Sequence, residues 1–142
     1  MPARPDNVDF SKHVYVIHCA YVSHIQSQNE EVRKKSFDDL ASTIFFCNYV
    51  FPKECTVLIN MHYTSSATGK AVPVHLPTLK LVLSSMNANV RLVFENEPFD
   101  DYDTFVKEVC AIQNELNTKV RKVGVCVDTA HLWGSGVKPE DL

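Results

Sequence analysis

Thr56-Val57-Leu58-Ile59-Asn60-Met61-His62 decides the architecture. The run is β-branched and apolar on both faces, too short for a helix, and closes on a side chain able to bind metal. A strand without a polar face is one covered on both sides, the habit of parallel sheets. Upstream, His13-Val14-Tyr15-Val16-Ile17 has the same character and runs into His18. Downstream, Val90-Arg91-Leu92-Val93-Phe94 leads into Glu95, and Val123-Gly124-Val125-Cys126-Val127 into Asp128. Strands are therefore expected near 14–18, 56–61, 90–94 and 123–127. Between the first two, Val32, Phe37, Leu40, Ile44 and Cys47 follow three- and four-residue steps, with Glu30 and Glu31 in the first turn and Pro52 beyond the end. That spacing predicts a helix over 29–50. Leu79, Val82, Leu83 and Met86 predict a second over 76–86, entered through Pro77, and Phe105, Val109, Ile112 and Leu116 a third, begun by Asp100, Asp101 and Asp103. The order β-α-β-α-β-α-β, with connections long enough for crossover helices, is that of an α/β protein built from parallel β/α units, its helices on at least one face.

The 142 residues carry 14 Lys plus Arg against 17 Asp plus Glu, a formal charge of −3, so no general basic signature for nucleic acid or membrane is present. Any polyanion contact must be local. With 45% apolar residues and four Gly the chain reads as one globular domain, 1–142, behind a polar leader at 1–12. No apolar run approaches the ~20 residues of a membrane span, and MPARPDNVDF lacks the apolar stretch of a signal peptide. An intracellular protein, cytoplasmic or nuclear and not secreted, is expected. Cys19, Cys47, Cys55, Cys110 and Cys126 are odd in number and form no C-x-x-C, against both a disulfide framework and a thiolate zinc knuckle. Metal, if bound, is bound through histidine and carboxylate.

His18, His62, Glu95 and Asp128 each close a strand, and in a parallel α/β sheet those ends share the carboxyl edge, where ligands bind. Imidazole and carboxylate together suit zinc, with manganese as an alternative, and a carboxylate flanked by histidines can bridge two ions. Glu95 is the natural bridge. His131, three residues beyond Asp128, is placed to serve the same ion or a neighbouring one. His13 lies at the wrong end of its strand, and His24 and His75 sit in loop-like or helix-entry sequence; these three read as solvated or packed.

Val16-Ile17-His18-Cys19-Ala20-Tyr21, Leu58-Ile59-Asn60-Met61-His62, Val93-Phe94-Glu95-Asn96 and Gly124-Val125-Cys126-Val127-Asp128-Thr129-Ala130-His131, continuing through Trp133-Gly134-Ser135-Gly136, together resemble the endonuclease IV family of abasic-site nucleases. The last stretch looks closest to members encoded by large DNA viruses, and the resemblance runs from about Val14 to Leu142. It implies a TIM barrel with up to three zinc ions at the carboxyl face, and hydrolysis of the DNA backbone 5′ to an abasic site in base excision repair. It makes His18 and His62 ligands of one zinc, Glu95 the catalytic carboxylate bridging two, Asp128 a ligand of the second and His131 a ligand of the third. Tyr21 and Val22 match the place where the family pushes side chains into DNA at the lesion, and Lys70 and Lys138 are candidates for phosphate contacts.

A complete barrel takes about 250 residues, and the four strand signals here resemble the family's third to sixth. A partial TIM barrel, about four of eight strands, is expected. On that reading the first zinc site is nearly whole and the others partial, and the 142 residues alone have little or no nuclease activity. Tyr63 after His62, and Glu97-Pro98 after Glu95-Asn96, depart from the family's usual residues, so loop contacts are expected to differ there. Two other functions compete. A sugar isomerase or epimerase of the same barrel superfamily would need only Glu95 and Asp128 on one divalent ion; His18, His62 and Tyr21 argue for the nuclease. A non-catalytic remnant acting as an interaction module would use the unpaired strand edges, by self-association or by docking a partner that supplies further strands.

Overall fold

The computed structural model describes residues 9–116 and 122–141. Residues 1–8, most of the expected leader, lie outside the described residues; from Asp9 on, a 3-10 turn (Phe10–Lys12) leads into the first strand. Four strands follow, β1 (Val14–His18), β2 (Thr56–Tyr63), β3 (Val90–Asn96) and β4 (Val123–Cys126), separated by α1 (Glu30–Val50), α2 (Leu76–Leu83) and α3 (Tyr102–Leu116). A short helix, α4 (Thr129–Gly134), comes after β4. The strands form one sheet in the order β1-β2-β3-β4, each pair parallel. The chain is thus an α/β protein of sequential parallel β/α units, the arrangement of a partial β/α barrel.

Side chains alternate across a strand, so the register decides which residues share a face. Val57, Ile59 and Met61 of β2 stand beside Tyr15 and Ile17 of β1 and Val90, Leu92 and Phe94 of β3, and this face meets the helices. From α1 come Phe37, Leu40, Ile44 and Cys47, from α2 Leu79 and Leu83, and from α3 Phe105, Val109 and Ile112. The predicted steps of three and four residues are those that bury these side chains. Each fully buried one contributes roughly 1.5–3 kcal/mol. The sheet's second face carries Val14 and Val16, both more than half exposed, then Leu58 and Arg91, and toward the carboxyl edge His18, Asn60, His62 and Glu95.

Element ends differ from expectation by one to three residues. β2 and β3 each run two residues further than expected, because His62 pairs with Glu95 and Tyr63 with Asn96, prolonging the ladder through the residues read as strand ends. β4 stops at Cys126, since Asp128 turns to cap α4, an element absent from the sequence reading: its side chain accepts from the His131 N–H. α2 ends at Leu83, where the Ser84 hydroxyl and N–H both turn back to the Leu81 carbonyl. Asp100 does not open α3; it is buried and accepts from the Ser65 N–H at 3.0 Å and from the Ser65 hydroxyl. Asp101 instead accepts from the Thr104 N–H at 3.2 Å. Among the described residues no helix is long and apolar enough to cross a membrane.

Candidate metal centre

Backbone register brings the candidate side chains together. His62, Glu95 and Cys126 occupy neighbouring positions on β2, β3 and β4, and His18 lies beside Asn60, one step back on the same face. Two groups result, each able to hold a metal ion: His18, His62 and Glu95, and Glu95, Asp128 and His131. Glu95 belongs to both. Its Oε2 is 3.5 Å from His18 Nε2 and 3.8 Å from His62 Nε2, while its Oε1 is 3.6 Å from His131 Nδ1. Ligand atoms 2.0–2.1 Å from a tetrahedral zinc stand roughly 3.3 Å apart, so the two imidazole–Glu95 distances of the first group need to close by only a few tenths of an ångström.

The hydrogen bonds around the imidazoles determine which nitrogen is free. His18 Nδ1 is 2.7 Å from the Cys19 carbonyl, and His131 Nδ1 is 2.7 Å from the Asn96 carbonyl. A carbonyl only accepts, so Nδ1 carries the proton in both rings and a neutral ring has its lone pair on Nε2. Such Nδ1–H bonds to carbonyls are the usual support of metal-bound histidines. In His18 that lone pair faces Glu95 Oε2, two acceptors opposed across 3.5 Å, and a cation or a proton between them removes the conflict. His62 Nδ1 and Asn60 Oδ1 are buried without a hydrogen bond, although Asn60 Nδ2 donates to Glu95 Oε2. The residues therefore fit a divalent metal with imidazole and carboxylate ligands. The first group is the better formed, because His131 has its nearer nitrogen committed to Asn96 and would coordinate through Nε2.

The Glu95 side chain is only 8% exposed and has three imidazoles around it. The His131 N–H bonded to Asp128 holds that carboxyl below the ordinary aspartate value, against a smaller opposing effect of burial. Glu97, just beyond β3, is also held low, first by its hydrogen bond to His24 and further by the Thr64 hydroxyl, with burial opposing. Cys126, on the same row as Glu95, is pushed the other way, by burial first and then by Glu95 and Asp128, which keeps it a thiol.

Tyr21 and Val22 lie in the β1–α1 loop, 76% and 78% exposed, and the Tyr21 ring stands edge-on to His62 with centroids 5.3 Å apart. Phe99, after β3, and Trp133, in α4, are also exposed. Lys70 and Lys138 are on the surface. Of the three histidines read as solvated or packed, His75 caps α2, whereas His24 reaches the centre's edge, 3.3 Å from Glu97 Oε1. Sequence reasoning missed Asn60, Asn96, His24 and Glu97 as neighbours of the centre. Asn60 was findable, since it stands two residues before His62 and therefore on the same strand face; the loop residues His24 and Glu97 have no such periodicity. No known protein-family model matches this chain, and no curated protein matches it.

Proposed function

We propose that the chain is the metal-binding portion of a zinc-dependent abasic-site endonuclease, hydrolysing the DNA phosphodiester 5′ to the lesion. The observation that carries this reading is the position of Glu95, whose two oxygens face different groups of ligands, His18 and His62 on one side and His131 with Asp128 on the other. A buried carboxylate so placed suits paired ions acting on a phosphodiester. Zinc held by His18, His62 and Glu95 would activate a water molecule at neutral pH and offset charge on the phosphate. His18 and His62 hold one side of the centre, with Asn60 steadying the Glu95 carboxylate between them. The α4 cap, through the His131 N–H, holds the Asp128 carboxyl below the ordinary aspartate value. The exposed Tyr21, Val22, Phe99 and Trp133 offer apolar surfaces on which unstacked bases could rest. With an acidic overall balance, phosphate contacts fall to local lysines such as Lys70 and Lys138.

The test is a duplex with one abasic analogue, incubated with zinc and the purified chain, beside an intact duplex. Zinc-dependent incision 5′ to the lesion, or zinc-dependent preference for the abasic duplex, supports the reading, and both must be lost in Glu95→Ala. Neither incision nor preference at zinc saturation overturns it. The convergence of His18 and His62 on Glu95 favours this function over a sugar isomerase or epimerase, for which Glu95 and Asp128 would suffice.

A further inference from the structure

His62 presents a problem that His18 and His131 do not. Those two have Nδ1 bonded to backbone carbonyls, Cys19 and Asn96, but His62 Nδ1 is buried and no carbonyl takes its proton. For Nε2 to offer a lone pair toward Glu95, the proton must sit on Nδ1, and a buried N–H without an acceptor is destabilising. The acceptor within reach is Glu97 Oε1, at 3.5 Å. Shortening by about 0.6 Å would make this an ordinary hydrogen bond.

Glu97 is itself held in place. Its Oε2 accepts from the Thr64 hydroxyl at 2.9 Å, and its Oε1 lies 3.3 Å from His24 Nε2. Thr64 follows β2 directly and is buried, and Ser36 of α1 fixes the His24 backbone through a 2.7 Å hydrogen bond to its N–H. A carboxylate has about four acceptor positions, so it can accept from His24, Thr64 and His62 together. We propose that Glu97 is a positioning residue of the metal centre: its carboxylate, anchored by Thr64 and His24, accepts a hydrogen bond from the His62 Nδ1–H and thereby leaves the Nε2 lone pair facing the metal position beside Glu95. The inference rests on reading His62 as a metal ligand. It concerns how that ligand is prepared, and it gives the third imidazole a side-chain counterpart of the backbone carbonyls that serve the other two.

The test pairs a spectroscopic readout with an affinity. In the metal-free chain, nitrogen-15 spectra of the neutral His62 ring report which nitrogen carries the proton, and zinc affinity is read by competition with a chromophoric chelator. Expected is a ring protonated at Nδ1 in the unaltered chain, a shift toward the other tautomer in Glu97→Ala, and a zinc affinity lower by about 10–100-fold. Glu97→Leu, which fills the same space without an acceptor, must behave alike and guards against loss of folding in the alanine variant. Glu97→Gln keeps a carbonyl oxygen and should retain the Nδ1 tautomer. A purely structural Glu97 would lower the melting temperature and leave the tautomer unchanged. An unchanged His62 tautomer, or unchanged zinc affinity, in a folded Glu97→Leu chain overturns the proposal. Failure of the unaltered chain to bind zinc would overturn the metal reading itself, and it is told apart because the tautomer comparison needs no metal.

Discussion

Glu95→Gln separates a bridging carboxylate from an ordinary ligand. The glutamine side chain is nearly the same size but has one acceptor oxygen and one amide donor. In the structure the two carboxylate oxygens face different ligand groups, Oε2 toward His18 and His62 at 3.5 and 3.8 Å, Oε1 toward His131 at 3.6 Å. The substituted side chain can therefore serve one group at most, and presents an N–H to the other. Zinc held by four protein ligands is worth about 10–16 kcal/mol, or roughly 2.5–4 kcal/mol per ligand, which is on the order of 10²–10³-fold in affinity. Calorimetric titration should show loss of that size at one group in Glu95→Gln, with weakening at the other from the missing charge. His62→Ala should affect only the first group and Asp128→Asn only the second. Thermal unfolding gives an independent reading, because a bound ion raises stability by RT ln(1 + [L]/Kd) and the zinc-dependent rise in Tm should shrink accordingly. Two ions bound at unaltered affinity by Glu95→Gln would refute the bridging geometry.

Tyr21→Ala should weaken preference for an abasic over an intact duplex by about 5–150-fold, on the ~1–3 kcal/mol of an aromatic stacking contact, while zinc affinity stays unchanged; fluorescence anisotropy with labelled duplexes checks it. Because the folded state lowers the Asp128 pKa, that carboxylate adds stability above the ordinary aspartate value and loses it as pH falls through the lowered value; urea unfolding across the acid range should show this dependence reduced in Asp128→Asn, which keeps the cap without the charge. Burial pushes the Cys19 and Cys47 thiols up to about 11, and both are buried, so alkylation of the native chain at neutral pH should reach the exposed Cys110 first and these two only on unfolding, as peptide mass mapping would record. Phe94→Ala, at a position with no exposed surface, should cost about 3–5 kcal/mol in the same urea experiment.

The β/α order was legible from the chain alone because both signals are local. Continuous apolar runs such as Thr56–Met61 mark strands of a parallel sheet, although here the helices cover one face and leave Val14 and Val16 exposed on the other, and the three- and four-residue steps of Leu40, Ile44 and Cys47 mark the buried stripe of a helix. Right-handed parallel crossovers then leave few alternatives, and the metal-competent residues fall on one edge as a consequence. Distances at that edge were not legible. Whether Glu95 faces both His18 and His131 depends on the register, which sets His62 beside Glu95 and His18 one step behind, and no single strand's sequence encodes its register against a neighbour. The histidine tautomers were equally hidden, since the Cys19 and Asn96 carbonyls that fix them are backbone groups present in any sequence and useful only where the fold aims them. Glu97 and His24 lie 73 residues apart and meet because the β1–α1 and β3–α3 loops converge above the sheet. Sequence alone thus determined which residues are chemically able to bind metal and on which edge they lie. Only the tertiary structure decided which oxygen meets which nitrogen, because those encounters join loops and strands far apart along the chain.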